Sequence, residues 1–201
     1  MRLLLEHPPR SYWLQVIDDI KAFQPPFEGA PYPCLLWDTR GQRSINDIRY
    51  LSRALIASNC RYGVCGGLEC ERWHDGLDEA FLHQGLSREE EELRFVLTTW
   101  HNDESPDDVA FFFVHNTDFD DHEFKQFLVL QLGTDWTKEQ ALTEALREHA
   151  TAPEDEDDDD EEDDWTETLP NTRLKLAAPF CCGGHRFVKS SLSRRSLSAF
   201  R

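Results

Sequence analysis

Cys34-Leu35-Leu36-Trp37-Asp38-Thr39-Arg40-Gly41 is the stretch whose reading decides the fold. Its first half is a continuous apolar run of strand length, and its second half is polar and ends on a glycine. A run without polar alternation marks a strand covered on both faces, the situation of an interior strand in a parallel sheet. Parallel neighbours need crossover connections, so helices are expected on either side of it in the chain. Downstream, Ser44 and Asp47 predict a helix cap, and Ile45, Ile48, Leu51, Leu55 and Ile56 supply an apolar stripe as far as Ser58. Tyr62-Gly63-Val64-Cys65 then reads as a second strand, after which Gly66-Gly67 lets the chain turn into a helix from Glu69 to Gln84. That helix should bury Trp73, Leu77, Ala80 and Phe81, with Gly85 near its end as the residue tolerant of positive φ.

The same alternation continues. After the acidic Glu89 to Glu92, the run from Leu93 to Trp100 predicts a third strand. Pro106, one place after Ser105, occupies a favoured first helical position, so a helix is expected to about Val114, although Phe111-Phe112-Phe113-Val114 also suits a strand. A polar loop with Asp118, Asp120, Asp121 and His122 leads to Phe127-Leu128-Val129-Leu130-Gln131-Leu132, the fourth strand, which leaves through Gly133-Thr134-Asp135. Thr137 with Gln140 caps a last helix to about His149, its inner stripe being Ala141, Leu142, Ala145 and Leu146. Toward the N-terminus, Trp13, Val16, Ile17 and Ile20 fall at helical spacing, so Ser11 to Phe23 is expected to be a helix stopped by Pro25 and Pro26. Residues 1–150 are therefore expected to form one α/β domain: three layers, Rossmann-like or flavodoxin-like, with a mostly parallel sheet of four or five strands.

Charge divides the chain. Residues 1–153 carry 14 basic and 27 acidic residues, Glu154 to Asp164 are eleven consecutive acids, and residues 171–201 hold seven basic residues and no acid. The acidic balance of the folded part opposes nucleic-acid binding there, because neutralising phosphates takes Lys and Arg; cations or basic proteins suit that surface better. The acidic run has nothing apolar to bury and repels itself, so residues 151–170 are expected to be a disordered linker and 171–201 a disordered basic tail. Leu3-Leu4-Leu5 is too short for a signal peptide or a membrane span, which makes a cytoplasmic location the expectation. There the six cysteines default to free thiols.

In an open parallel sheet, ligands bind beyond the carboxyl ends of the strands. Those ends offer Asp38, Thr39 and Arg40; Cys65 to Gly67; His101 to Asp103; and Thr134 with Asp135. A shared pocket would gather Cys65 as nucleophile, His101 as base, and Asp38 or Asp103 beside them. A thiol ahead of two glycines and a helix start can be acidified by backbone N–H groups. The plainer reading makes Cys65 a small apolar residue at the end of a buried strand. Cys60, Cys65, Cys70 and His74 are spaced C-x4-C-x4-C-x3-H, unlike the tight ligand pairs of structural zinc, and no metal or cofactor is expected. Gly63, Gly66 and Gly67 form neither a dinucleotide fingerprint nor a P-loop, and no Gly-x-Ser-x-Gly elbow is present. His74-Asp75 resembles the ligand pair of HD-type phosphohydrolases, but that fold is all helical and this chain alternates.

Leu36-Trp37-Asp38-Thr39-Arg40-Gly41, Arg61-Tyr62-Gly63-Val64-Cys65-Gly66-Gly67 and Cys70-Glu71-Arg72-Trp73-His74-Asp75 together resemble an uncharacterised family of small bacterial α/β proteins, over about residues 10–150. The resemblance implies a bacterial, self-contained domain and carries no catalytic residue. Asn171-Thr172-Arg173-Leu174-Lys175-Leu176-Ala177-Ala178-Pro179 and Arg194-Arg195-Ser196-Leu197-Ser198-Ala199-Phe200-Arg201 resemble translated copies of the DNA repeat at integron gene-cassette recombination sites. That implies a tail appended by read-through. The function expected is thus an accessory α/β module carried on a mobile cassette, binding a protein or a small ligand. Two alternatives stand beside it: an enzyme with Cys65 as nucleophile and His101 as base, and an acidic DNA mimic acting through Glu154 to Asp164.

Overall fold

The deciding stretch forms β3, Tyr32–Asp38, every residue of it buried in the computed structural model of the chain. The structure describes residues 1–118 and 123–152. In chain order the strands are β1 (Arg2–His7), β2 (Arg10–Ile17), β3, β4 (Cys60–Gly67), β5 (Leu97–His101) and β6 (Gln126–Leu132). The helices are α1 (Ile45–Ala57), α2 (Cys70–Leu82), α3 (Arg88–Leu93), α4 (Pro106–His115) and α5 (Trp136–Thr151). One six-stranded sheet runs in the order β1-β2-β6-β3-β4-β5, parallel throughout except for the antiparallel β1.

Alternation across the strands sorts the core into two clusters. Leu36, Cys34, Cys65, Leu128 and Leu130 point to one face, where Ile48, Leu51 and Leu55 of α1 and Trp73 and Leu77 of α2 cover them. Leu35, Trp37, Val64, Phe127 and Val129 point to the other, against Val109 and Phe113 of α4 and Leu142 and Leu146 of α5. The described residues belong to one compact unit, Met1–Glu154. Of the linker expected from residue 151, Thr151 instead ends α5 and Ala152 caps it; the rest of the expected acidic linker and the basic tail lie outside the described residues.

Several expectations hold locally for the reasons given. Ser44 caps α1 by accepting from the Asp47 N–H, Ser105 caps α4 ahead of Pro106, and Gly85 sits at φ +66°. Others give way. The segment read as a helix over 11–23 is strand β2 followed by a single 3-10 turn, Ile20–Ala22. Its helical spacing loses to seven parallel pairings with β6, which suit Val16 and Ile17 as β-branched residues and Tyr12 and Trp13 as aromatic ones. β1, unexpected, pairs back onto β2 with a register shift between Leu3 and Leu5. Glu89 to Glu92 belong to a helix because Ser87 and Glu90 form a reciprocal capping box, so the strand after it starts at Leu97 and not at Leu93. Asp135, not Thr137, caps α5, accepting from the Lys138 N–H.

The sheet therefore has six strands where four or five were expected. Its order also departs from the Rossmann-like and flavodoxin-like arrangements, in both of which the first parallel strand pairs with the second. Here β2 pairs with β6, the last, and is separated from β3 by it. The connection leaving β3 is α1 on one face, and the connection leaving β6 is α5 on the other. The strand order thus reverses between β3 and β6, the place where folds of this class form a crevice.

Candidate functional site

At that crevice the residues are occupied with one another. Asp38, the last residue of β3, is 1% exposed. Its Oδ1 accepts from the backbone N–H groups of Arg40 and Gly41, both at 2.9 Å, and its Oδ2 accepts from Trp73 Nε1 at 3.0 Å. Arg43 Nε lies 3.8 Å from Oδ2, with both side chains buried, so the carboxylate has a cation beside it as well as three donors. The Asp38 carbonyl accepts from Leu68 N at 2.7 Å, where Gly67, at φ +77°, brings β4 so close that a Cβ would stand 2.4 Å from that oxygen. Glycine is required there on both counts. Around this knot Arg40 pairs with Asp18 at 2.8 Å, Glu69 with Arg72 at 2.5 Å, and Thr39 Oγ1 donates to the Leu132 carbonyl at 2.9 Å. Lys138 Nζ reaches the Thr39 carbonyl at 3.3 Å.

Cys65 is fully buried in the α1/α2 cluster, and burial pushes its thiol well above the ordinary range. His101 pairs with Gly66, one residue further along β4, so its side chain points to the opposite face and packs on the Phe112 ring of α4, centroids 4.6 Å apart. The structure therefore does not bring Cys65 and His101 together as nucleophile and base; a sheet lies between their side chains. Asp38 is held by Trp73 and Arg43 and reaches neither. The carboxylate beside His101 is Glu104, whose Oε2 is 2.7 Å from Nδ1, and the second ring nitrogen faces Thr99 Oγ1 at 3.2 Å. Asp103 is exposed at φ +59°.

The remaining thiols and histidine of the α2 region also go separate ways. Cys70 donates to Asn102 Oδ1 at 2.9 Å, and burial raises its pKa, partly offset by backbone N–H groups including that of His101. His74 lies against the Trp100 ring at 4.5 Å with Asp78 Oδ2 3.7 Å away, and Asp78 Oδ1 accepts from Thr98 Oγ1 at 2.6 Å. Among the described residues no group of three or more His, Cys, Asp or Glu side chains is arranged to hold a metal ion, and no helix is long and apolar enough to cross a membrane.

Two surface clefts lie away from these strand ends. One, of about 450 Å³, is lined by Glu6, Pro8, Pro9, Arg10, Pro31 and Lys125 among others, at the start of β2; the second, of about 640 Å³, runs along Asn46, Arg49, Tyr50 and Arg53 on the outer side of α1. Thr99 and Glu104 were the polar partners that strand-end reasoning missed. A period-two reading of Thr99-Trp100-His101 puts Thr99 and His101 on one face and would have found the first of them.

No curated protein and no solved structure matches the chain. A family model does match, over residues 12–149, which spans β2 to α5 and includes every strand end described above. The chain therefore belongs to the family of the domain of unknown function DUF7684.

Proposed function

We propose that this domain is a non-catalytic binding module that engages a protein partner and does not enclose a small ligand. The observation that carries the reading is the state of the strand ends. Asp38, Arg40, Thr39 and Lys138 bond to each other or to the adjoining loops, and the buried Arg43 stands beside Asp38 and donates to the Asp18 carbonyl, so these strand-end side chains are taken up by the protein itself. The residues expected to do chemistry are split between two faces of the sheet. A soluble, cytoplasmic accessory protein of bacterial origin, carried on a mobile gene cassette, remains part of the proposal on the tail's resemblance to cassette repeats; the neighbouring genes test that part. The acidic-mimic alternative concerns Glu154 to Asp164, outside the described residues.

One observation favours a second reading. Thr99 Oγ1, His101 Nε2, His101 Nδ1 and Glu104 Oε2 follow the order hydroxyl, imidazole, carboxylate at hydrogen-bonding distances, the relay by which a hydroxyl is activated for attack. Against it, His101 is 5% exposed and enclosed by Phe112. A turnover screen of the purified chain on ester, thioester, phosphoester and peptide substrates separates the two. We expect no activity; turnover abolished by Thr99→Val or His101→Ala would replace the binding module with a hydrolase.

A further inference from the structure

The two edges of the sheet are built differently. β1 is irregular: its register slips between Leu3 and Leu5, it carries Arg2 and Glu6, Arg2 pairs with Glu139 of α5 at 2.7 Å, and Pro8 and Pro9 follow it directly. Bulges, charges and prolines are the devices by which an edge refuses another strand. β5 has none of them. Leu97-Thr98-Thr99-Trp100-His101 contains no Asp, Glu, Lys or Arg, no proline and no register slip, and it is rich in the residue types that favour extended chain. It pairs with β4 along one side, and among the described residues no strand pairs with the other. Its first four residues are partly buried, neither closed off like the interior strands nor fully open.

Charge selects what can fit there. Residues 71–108, the segment that brackets β5, hold twelve acidic and three basic residues, whereas residues 1–70 hold seven and eight. Glu71, Asp75 and Asp78 on α2, Glu89 to Glu92 on α3, and Asp103, Glu104, Asp107 and Asp108 after β5 make up most of the excess. A second copy docking edge to edge would set these acids against their own images, which is unfavourable. A basic strand meets no such barrier. Trp100 and Asp78, with the three-quarters exposed Asp75 on the same helix, offer an aromatic face and carboxylates to a Lys or Arg side chain.

We propose that β5 is a docking strand that accepts an extended Lys- or Arg-rich segment of a protein partner as a further strand of the sheet. Main-chain hydrogen bonds along the outer edge hold it, and its basic side chains on the α2 side lie toward Trp100, Asp75 and Asp78. This deepens the binding-module reading and rests on it.

The test uses the full chain and an acetylated, amidated peptide of alternating lysine and valine, about eight residues long to match a strand. Calorimetry gives the Kd, and amide hydrogen exchange followed by NMR locates the contact. The expected result is new protection confined to β5, affinity lost when alternate peptide nitrogens are methylated, and binding weakened about tenfold by Asp75→Asn with Asp78→Asn, or by Trp100→Leu. Equal binding of the methylated peptide would reduce the contact to charge alone and overturn the proposal. So would absent binding, protection elsewhere, or a dimer in sedimentation whose formation protects β5 and makes a second copy the occupant. Failure here with a negative turnover screen would leave the binding-module reading standing, whereas turnover that His101→Ala removes would overturn that reading itself.

Discussion

The centre of the sheet and its β5 edge present the same kind of strand ends and use them in opposite ways. At the centre, Asp38 draws three donors and the Arg43 guanidinium into a buried knot that ties β3 to the loops after it, to β4 and to α2. At the edge, His101 sits between Glu104 and Thr99, but both partners are part-exposed and the backbone beside them has a neighbour along one side. A strand with neighbours on both sides must satisfy its polar groups internally, since water does not reach them. An edge strand is free of that demand, so function has room there.

The largest expected effect tests this contrast directly. Asp38→Ala leaves Arg43 buried without its counter-charge and frees the Trp73 N–H and two backbone donors. A loss of about 3–5 kcal/mol in urea-unfolding stability is expected, the usual cost of stranding one partner of a buried pair. His101→Ala should cost less, about 1–3 kcal/mol, because Glu104 is 28% exposed and water can take over its hydrogen bond. Equal losses, or a larger loss at His101, would break the comparison between centre and edge.

A second test works on the inner side of β5. Tyr62, on β4, pairs with Leu97 and packs against Phe112, and burial pushes its hydroxyl up to about 12 from the ordinary 10.0. A folded pKa raised above the unfolded one means that the neutral form stabilises the fold. That contribution is complete below pH 10 and is lost as pH rises from 10 through about 12. Unfolding free energies measured against pH should fall across this window, by on the order of 2 kcal/mol, and absorbance at the phenolate band should show Tyr62 ionising late. Tyr62→Phe should flatten its share of the alkaline loss. An alkaline loss in Tyr62→Phe equal to that of the parent chain would mean that water already reaches the β4/β5 seam.

How far the sequence reveals this molecule differs along the same line. β3, β4 and β6 could be read as strands because interior parallel strands are apolar on both faces, and the caps Ser44 and Ser105 carry their own local chemistry. β2 could not, since Trp13, Val16, Ile17 and Ile20 fit a helical stripe as well as a strand, and only pairing with β6, more than a hundred residues away in the chain, decides between them. His101 was legible as a strand-end residue. Its separation from Cys65 was not: which face each side chain takes depends on the register of β4 against β5, and register is a property of the pair, absent from either segment alone. The charge contrast between residues 1–70 and 71–108 was present in the sequence throughout, but it acquires meaning only once β5 is seen to be an edge.

The smallest effect expected is in the thiols, and it ranks the two regions by how readily they open. Cys34, Cys60, Cys65 and Cys70 are all free and buried, and the pKa values of Cys34, Cys65 and Cys70 are raised, chiefly by burial, which removes the thiolate that alkylation requires. Iodoacetamide at neutral pH should therefore leave these four nearly unmodified in the folded chain, and peptide mass spectrometry would follow each separately. Their residual rates should still differ. Cys65 lies mid-strand between β3 and β5, so exposing it requires breaking ladders on both sides. Cys70 opens α2, and its bond to Asn102, an exposed residue just past the β5 edge, breaks when that end frays alone. Local opening costs less than global unfolding, so Cys70 should react first, and peptide docked on β5 should slow it without touching Cys65. A faster Cys65 would place the weak point of the fold at its centre, and the edge would then lose its claim to be the part left free for a partner.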